Sequence, residues 1–217
     1  ATYWIILLAV FGVVLIGTAA WTTVNEWRME RQNRAATAEG EAAVGQLLEP
    51  VRSIKRVLAD GQVQSLAVRA IENPATTEDL FAYLNGRLNA VSAVQVFSAD
   101  VSGVRPEDLG PNGYAVLDMV LSALGGNESL LQVHHILQPP ALVDAVPVKA
   151  GEEVAGVLVV TMDPQYLLAN FKPRLSALGY LRLTQYNGSQ RASSLAEFGN
   201  AGQTGDVPDR LTVPGTL

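Results

Sequence analysis

The sequence of 217 residues contains no cysteine and only two histidines, His134 and His135. The first absence excludes disulfides, iron–sulfur clusters, thiolate zinc sites and cysteine nucleophiles. The second leaves nothing to complete a nitrogen or sulfur ligand set for zinc or copper, so no metal site is expected. Adjacent residues on a strand point to opposite faces, and two neighbouring imidazoles cannot chelate one ion there. Basic residues are also few: 15 Lys and Arg stand against 21 Asp and Glu, for a net charge of −6. Nucleic acid calls for a dense basic face, whereas these cations are scattered singly with no interleaved aromatic platform. Catalytic signatures are missing as well. No G-x-S-x-G elbow surrounds a serine. "GEEVAG" has the glycine spacing of a phosphate loop, but Val157 and Leu158 stand where Lys and Ser or Thr are required. No cofactor is implied, and no enzyme is expected within these residues.

What the sequence does have is one long uncharged run at its start, "ATYWIILLAVFGVVLIGTAAW", with Glu26 the first residue charged at neutral pH. A helix that crosses the hydrocarbon core needs about 20 apolar residues, and Tyr3 to Trp21 comes close. Trp4 and Trp21 are separated by about 25 Å at helical rise, near the spacing of the two interfacial belts where tryptophan is enriched. Residues 1–24 are therefore expected to form a single transmembrane helix, with Trp4, Trp21 and Trp27 at the membrane interface and the lipid bilayer as a partner. Thr18–Ala20 is an acceptable cleavage site for a signal peptide, but the segment is present in the chain. Arg28, Arg31 and Arg34 follow the span, and the positive-inside rule would place that side in the cytoplasm. Counting charges does not settle the orientation.

Residues 25–75 are expected to form a helical stalk. Val44, Leu47, Val51, Ile54 and Leu58 alternate at spacings of three and four, an apolar stripe for a partner helix, for self-association or for the domain that follows. Pro50 predicts a kink or a fresh first turn. Asp60–Gly61 reads as a stop, followed by a short helix to about Ile71 that "ENP" closes. Then "TTEDLFAYLNGRLN" reads as a helix capped by Thr76 or Thr77, and "VSAVQVFSAD" as a first strand. "YAVLDMVLSAL" is a short helix stopped by Gly125–Gly126. Three strands follow, "SLLQVHHIL", "ALVDAVPV" and "EVAGVLVVTM", the last two flanking "KAGEE" as a hairpin. Asp163–Pro164 opens a helix to about Phe171, "LGYLRLTQY" is a further strand, and "SSLAEFGNAGQTGDVPD" reads as loop before a final strand in "RLTVPGTL". The order implies an α+β fold, an antiparallel sheet with flanking helices over residues 76–217.

A strand, helix and antiparallel strands behind a membrane helix and stalk resemble the PAS-like extracytoplasmic sensor domains of the Cache type. The segment "VDAVPVKAGEEVAGVLVVTMDPQYL" is similar to the part of that family where a "PV" strand, a glycine-bearing turn, a "GVL" strand and a short helix succeed one another. The resemblance implies a sensor-like or interaction domain in the periplasm, held by a single pass through the inner membrane, with a small molecule as a possible ligand class. "GYAVLDMV", "AVPVKAGEEVAGVLVVTMD", "LGYLRL" and "LTVPGTL" also resemble the membrane-bound N-terminal region of long-form bacterial phosphomannomutase/phosphoglucomutase. That would make the chain a non-catalytic front end continuing past Leu217, because the serine loop and metal loop of the mutase are missing here. A third reading is an accessory scaffold subunit whose helix packs on other transmembrane helices.

Two acidic residues interrupt apolar segments. Asp144 sits inside "ALVDAVPV", and Asp118 inside "YAVLDMVL". A carboxylate in such company must be exposed, paired or hydrogen-bonded, since burying it bare is costly. Either could line a ligand pocket, with Tyr114 or Arg182 as partner. The plainer reading turns both to solvent, and alternation, which sets Asp144 opposite Val143 and Ala145, fits that reading. His134 could face the same pocket and respond to pH; the plainer reading has it solvated or singly hydrogen-bonded.

Overall fold

The computed structural model describes residues 2–109, 113–127, 131–134, 140–176, 179–187 and 190–199, with side chains from Val24 onward except at residue 108 and residues 184–195. The expected strand in "RLTVPGTL", His135 and the side chains of the apolar run, Trp4 and Trp21 included, lie outside the described residues. Among the described residues no helix is long and apolar enough to cross a membrane. The chain divides into two units. One comprises residues 1–43, 173–181 and 197–211, the other residues 44–172, 182–196 and 212–217.

Helix α1 spans Thr2–Leu58 with Pro50 inside it, so the fresh start expected at that proline does not occur. Pro50 removes only its own N–H from the helical ladder. Asp60 proves to be a beginning rather than a stop: it is the N-cap of α2 (Gly61–Glu72), and its side chain accepts from the Gln62 N–H at 2.9 Å. Asn73 ends α2 and caps a single 3-10 turn, Pro74–Thr76. In α3 (Thr77–Leu88), Thr76 occupies the N-cap position without a side-chain capping bond. Its hydroxyl donates instead to the Asn73 carbonyl at 2.9 Å. Asn89, in the left-handed region at φ 52°, turns the chain out of α3.

β1 (Val91–Ser98) leads through a 3-10 turn at Pro106–Leu109 to α4 (Gly113–Leu124). α4 ends in a Schellman motif. The Asn127 N–H reaches the Ser122 carbonyl at 3.2 Å, the Gly126 N–H reaches Ala123 at 2.9 Å, and Gly126 takes φ 79°. β2 (Gln132–His134), β3 (Ala141–Ala150) and β4 (Glu153–Met162) form an antiparallel meander, and β1 adds to the outer edge of β4, giving the order β1-β4-β3-β2. Only Gly151 and Glu152 separate β3 from β4, a tighter connection than "KAGEE". Gly151 at φ 71° and Glu152 without positive φ have the pattern of a type II′ turn, which suits the twist of paired strands. α5 (Gln165–Leu168) is a single turn, shorter than expected. β5 (Tyr180–Asn187) pairs with β6 (Gln190–Gly199) in a separate two-stranded sheet, so a strand covers residues that composition alone reads as loop.

The register assigns the two faces of the larger sheet. Leu142, Asp144 and Val146 lie opposite Met162, Val160 and Leu158 on one face; Val143 and Ala145 lie opposite Thr161 and Val159 on the other. The first face packs against Ile54 and Leu58 of α1, Val63, Leu66 and Ala67 of α2, and Leu80, Leu84 and Leu88 of α3. The second packs against Val116, Met119, Val120 and Ala123 of α4. Apolar cover on both sides explains why β3 and β4 read as almost continuous hydrophobic runs. The second half of the expected stalk thus contributes to the core. In the other unit, α1 carries an exposed stretch from Val24 to Ala35, laced by the Arg34–Glu30 ion pair and by Arg31 lying over Trp27 at 3.8 Å.

Candidate functional site

Asp144 is fully buried near the middle of β3. Its Oδ1 accepts from Lys55 Nζ at 2.8 Å, and the Lys55 side chain retains 22% exposure. The expectation that Asp144 faces solvent is therefore corrected. Alternation does set it opposite Val143 and Ala145, but the face it occupies is the one roofed by α1 and α2 rather than an open one. Tyr114 is 77% exposed on α4, and Arg182 is exposed on β5. The hydrogen-bonded partner of Oδ1 is a lysine on the long helix.

Lys55 was not among the candidate residues, although the sequence carried a signal for it. It stands within the apolar stripe, three residues before Leu58 and four after Val51, where a cation is as anomalous as the aspartate in β3. The stem of a lysine can line apolar surface while its ammonium reaches a polar group. Here that group is a carboxylate which would be costly to bury bare. Close by, Gln64 ties the same elements together: its Nε2 donates to the Leu58 carbonyl at 3.1 Å, and its Oε1 accepts from the Lys149 N–H at 3.0 Å.

The remaining candidates fall elsewhere. Asp118 is exposed, one turn along α4 from Tyr114, on the outer side of that helix. His134 pairs with Ala141 and is buried on the α4 face, 7% exposed. The reading of His134 as a solvated residue is corrected accordingly, and it lies on the sheet face opposite Asp144. The five residues do not converge on one pocket. Among the described residues no group of three or more metal-ligating side chains is gathered. A shallow groove of about 490 Å³ runs along Arg31, Gln32, Asn33, Ala35, Ala36 and Ser176, without a paired acid and base. Beyond β1, the turn at Asp100 is held locally. The Ser102 hydroxyl and backbone N–H both donate to the Asp100 carboxyl, the N–H at 3.0 Å, and hold its pKa below the usual carboxylate value. What this arrangement can do is join a helix to a sheet through a buried ion pair.

No protein-family model matches the chain, and no curated protein does. Among solved structures, the sensor domain of the histidine kinase DctB from V. cholerae is similar at 14% identity, with a TM-score of 0.46 over 71% of this chain. The match covers 62% of that structure's chain. The likeness to the sugar-phosphate mutase region finds no counterpart in these comparisons.

Proposed function

We propose that the chain is a non-catalytic, membrane-anchored extracytoplasmic domain of sensor-like build, working as an interaction module on the periplasmic side of an inner membrane. The observation that carries this reading is the Lys55–Asp144 pair. α1 bears an uncharged apolar run at its N-terminal end and, near its C-terminal end, a lysine committed to the middle of the sheet. An element that enters the bilayer at one end and is ionically fixed to a sheet at the other is suited to holding a domain at a membrane surface. The scattering of the polar candidates over separate faces supports a binding or relay role over catalysis.

Two measurements on the full chain in a bacterial host test this reading together. The chain is expected to stay in the membrane pellet after an alkaline carbonate wash, and its domain to be cleaved by protease added to intact spheroplasts. A carbonate-soluble chain, or a domain protected until the inner membrane is lysed, would contradict it.

A further inference from the structure

Beyond the anchor itself, α1 presents an exposed face just past the apolar run. At about 100° per residue, Val24, Trp27, Arg28 and Arg31 fall within an arc of about 100°. All four are exposed, Trp27 at 54%. The acidic neighbours do not share this arc. Glu26 lies on the other side of the helix, and Glu30 is occupied by Arg34. The result is a stripe that is apolar, then aromatic, then doubly cationic.

Direction matters as much as composition. Helical side chains lean toward the N-terminus of their helix, and here the N-terminus holds the apolar run. Arg31 shows the lean directly, since its guanidinium lies 3.8 Å from the ring centroid of Trp27, one turn back. If the hydrocarbon core ends near Val24, then Trp27, Arg28 and Arg31 stand about 4, 6 and 10 Å further along the axis. The headgroup layer on each side of a bilayer is about 5–7 Å thick. Trp27 and Arg28 therefore fall within it, and Arg31, stacked downward, reaches it from above. Tryptophan is suited to this layer because one end of the indole is apolar and its N–H is polar.

We propose that Trp27, Arg28 and Arg31 form a binding site for the net-negative headgroup of an anionic phospholipid, with Trp27 holding the Arg31 guanidinium toward the headgroup plane. The proposal rests on the anchor reading above. An arginine fork is matched to phosphate oxygens, and a basic residue beside an anionic surface contributes roughly a fivefold gain in binding.

The test uses the delipidated full chain in dodecylmaltoside, titrated with phosphatidylglycerol or phosphatidylcholine and read by native mass spectrometry. Phosphatidylglycerol is expected to bind roughly twenty-fivefold more tightly, two such gains multiplied. Arg28→Gln/Arg31→Gln should bring it to the phosphatidylcholine level, whereas Arg34→Gln, whose arginine is engaged by Glu30, should leave the preference in place. Trp27→Ala should lower the preference by a factor of several, and Trp27→Phe should retain most of it. Equal binding of the two lipids, or a preference that survives the double substitution, overturns the site. A wild-type chain extracted by carbonate overturns the anchor and the site with it. A chain that stays in the pellet but shows no lipid preference overturns the site alone.

Discussion

Lys55 Nζ meets Asp144 Oδ1 at 2.8 Å, bridging α1 and β3 across a separation of 89 residues. Asp144 has no exposure and Lys55 retains a fifth of its own, so the pair is weakly screened by solvent. Charges in such positions contribute little to stability as a pair, yet cost a great deal when one is removed. Asp144→Leu or Lys55→Met is expected to destabilise the domain by about 3–5 kcal/mol, because each removes one charge of the pair and leaves the other without it. The combined change Lys55→Met/Asp144→Leu should recover most of that loss. Urea unfolding of all four proteins closes the double-mutant cycle, and additive losses would show that the two groups are not coupled.

Gly156 and Gly151 make opposite demands on the chain. A Cβ on Gly156 would lie 2.0 Å from the Phe97 carbonyl oxygen and 2.8 Å from Ile71 Cδ1, where β1 and β4 meet. Gly151 has open space around it and needs only its positive φ. Gly151→Ala should cost about 1–2 kcal/mol, the penalty of a Cβ in the left-handed region. Gly156→Ala should exceed the 1–3 kcal/mol typical of overpacking, roughly, since backbone rather than a side chain must give way. Hydrogen exchange at the amides of β1 distinguishes them: protection should fall in the Gly156 variant and persist in the Gly151 variant.

Asp100 titrates below the normal carboxylate value of 3.8 because Ser102 donates to its ionised form. A depressed native pKa means that its stabilising contribution is present above 3.8 and is lost as pH falls through the lower, native value. The carboxyl carbon shift of Asp100, followed by NMR, is expected to have its midpoint below 3.8, and Ser102→Ala should move it upward. A midpoint at the model-peptide value would leave the two Ser102 contacts without effect.

Tyr114 and Asp118 offer a negative prediction. Both are exposed on α4, so Tyr114→Ala and Asp118→Asn should each change unfolding free energy by no more than about 0.5 kcal/mol. A larger loss in thermal or urea unfolding would mean that this helix face is covered in the protein as it exists.

Much of this architecture is legible in the residues, because the signals are local. The glycine stop after α4 and the apolar runs of β3 and β4 each depend on a few neighbours. What local signals miss is which side of a strand is roofed. Asp144 alternates with Val143 and Ala145, but whether its face meets water or helix is decided by α1 and α2, some 80 residues earlier. The partner could be found only by noticing two anomalies at once, a cation within a helical apolar stripe and an anion within an apolar strand. β6 escaped for a related reason: Ser193, Ser194 and Gly199 look loop-like, and strand pairing with β5 overrides that composition.

The two-residue turn at Gly151–Glu152 also bears on the expected order of folding. β3 and β4 close on each other with almost no chain between them, and β2 joins β3 after a short return. β1 is different: Ser98 must find Gly156 across more than fifty residues of intervening chain. Ring closure is slower for distant segments than for adjacent ones, so the meander is expected to form first and β1 to be recruited to its finished edge. Perturbing Gly151 should slow refolding, while perturbing the β1–β4 seam should chiefly hasten unfolding, a distinction visible in the two arms of a chevron plot.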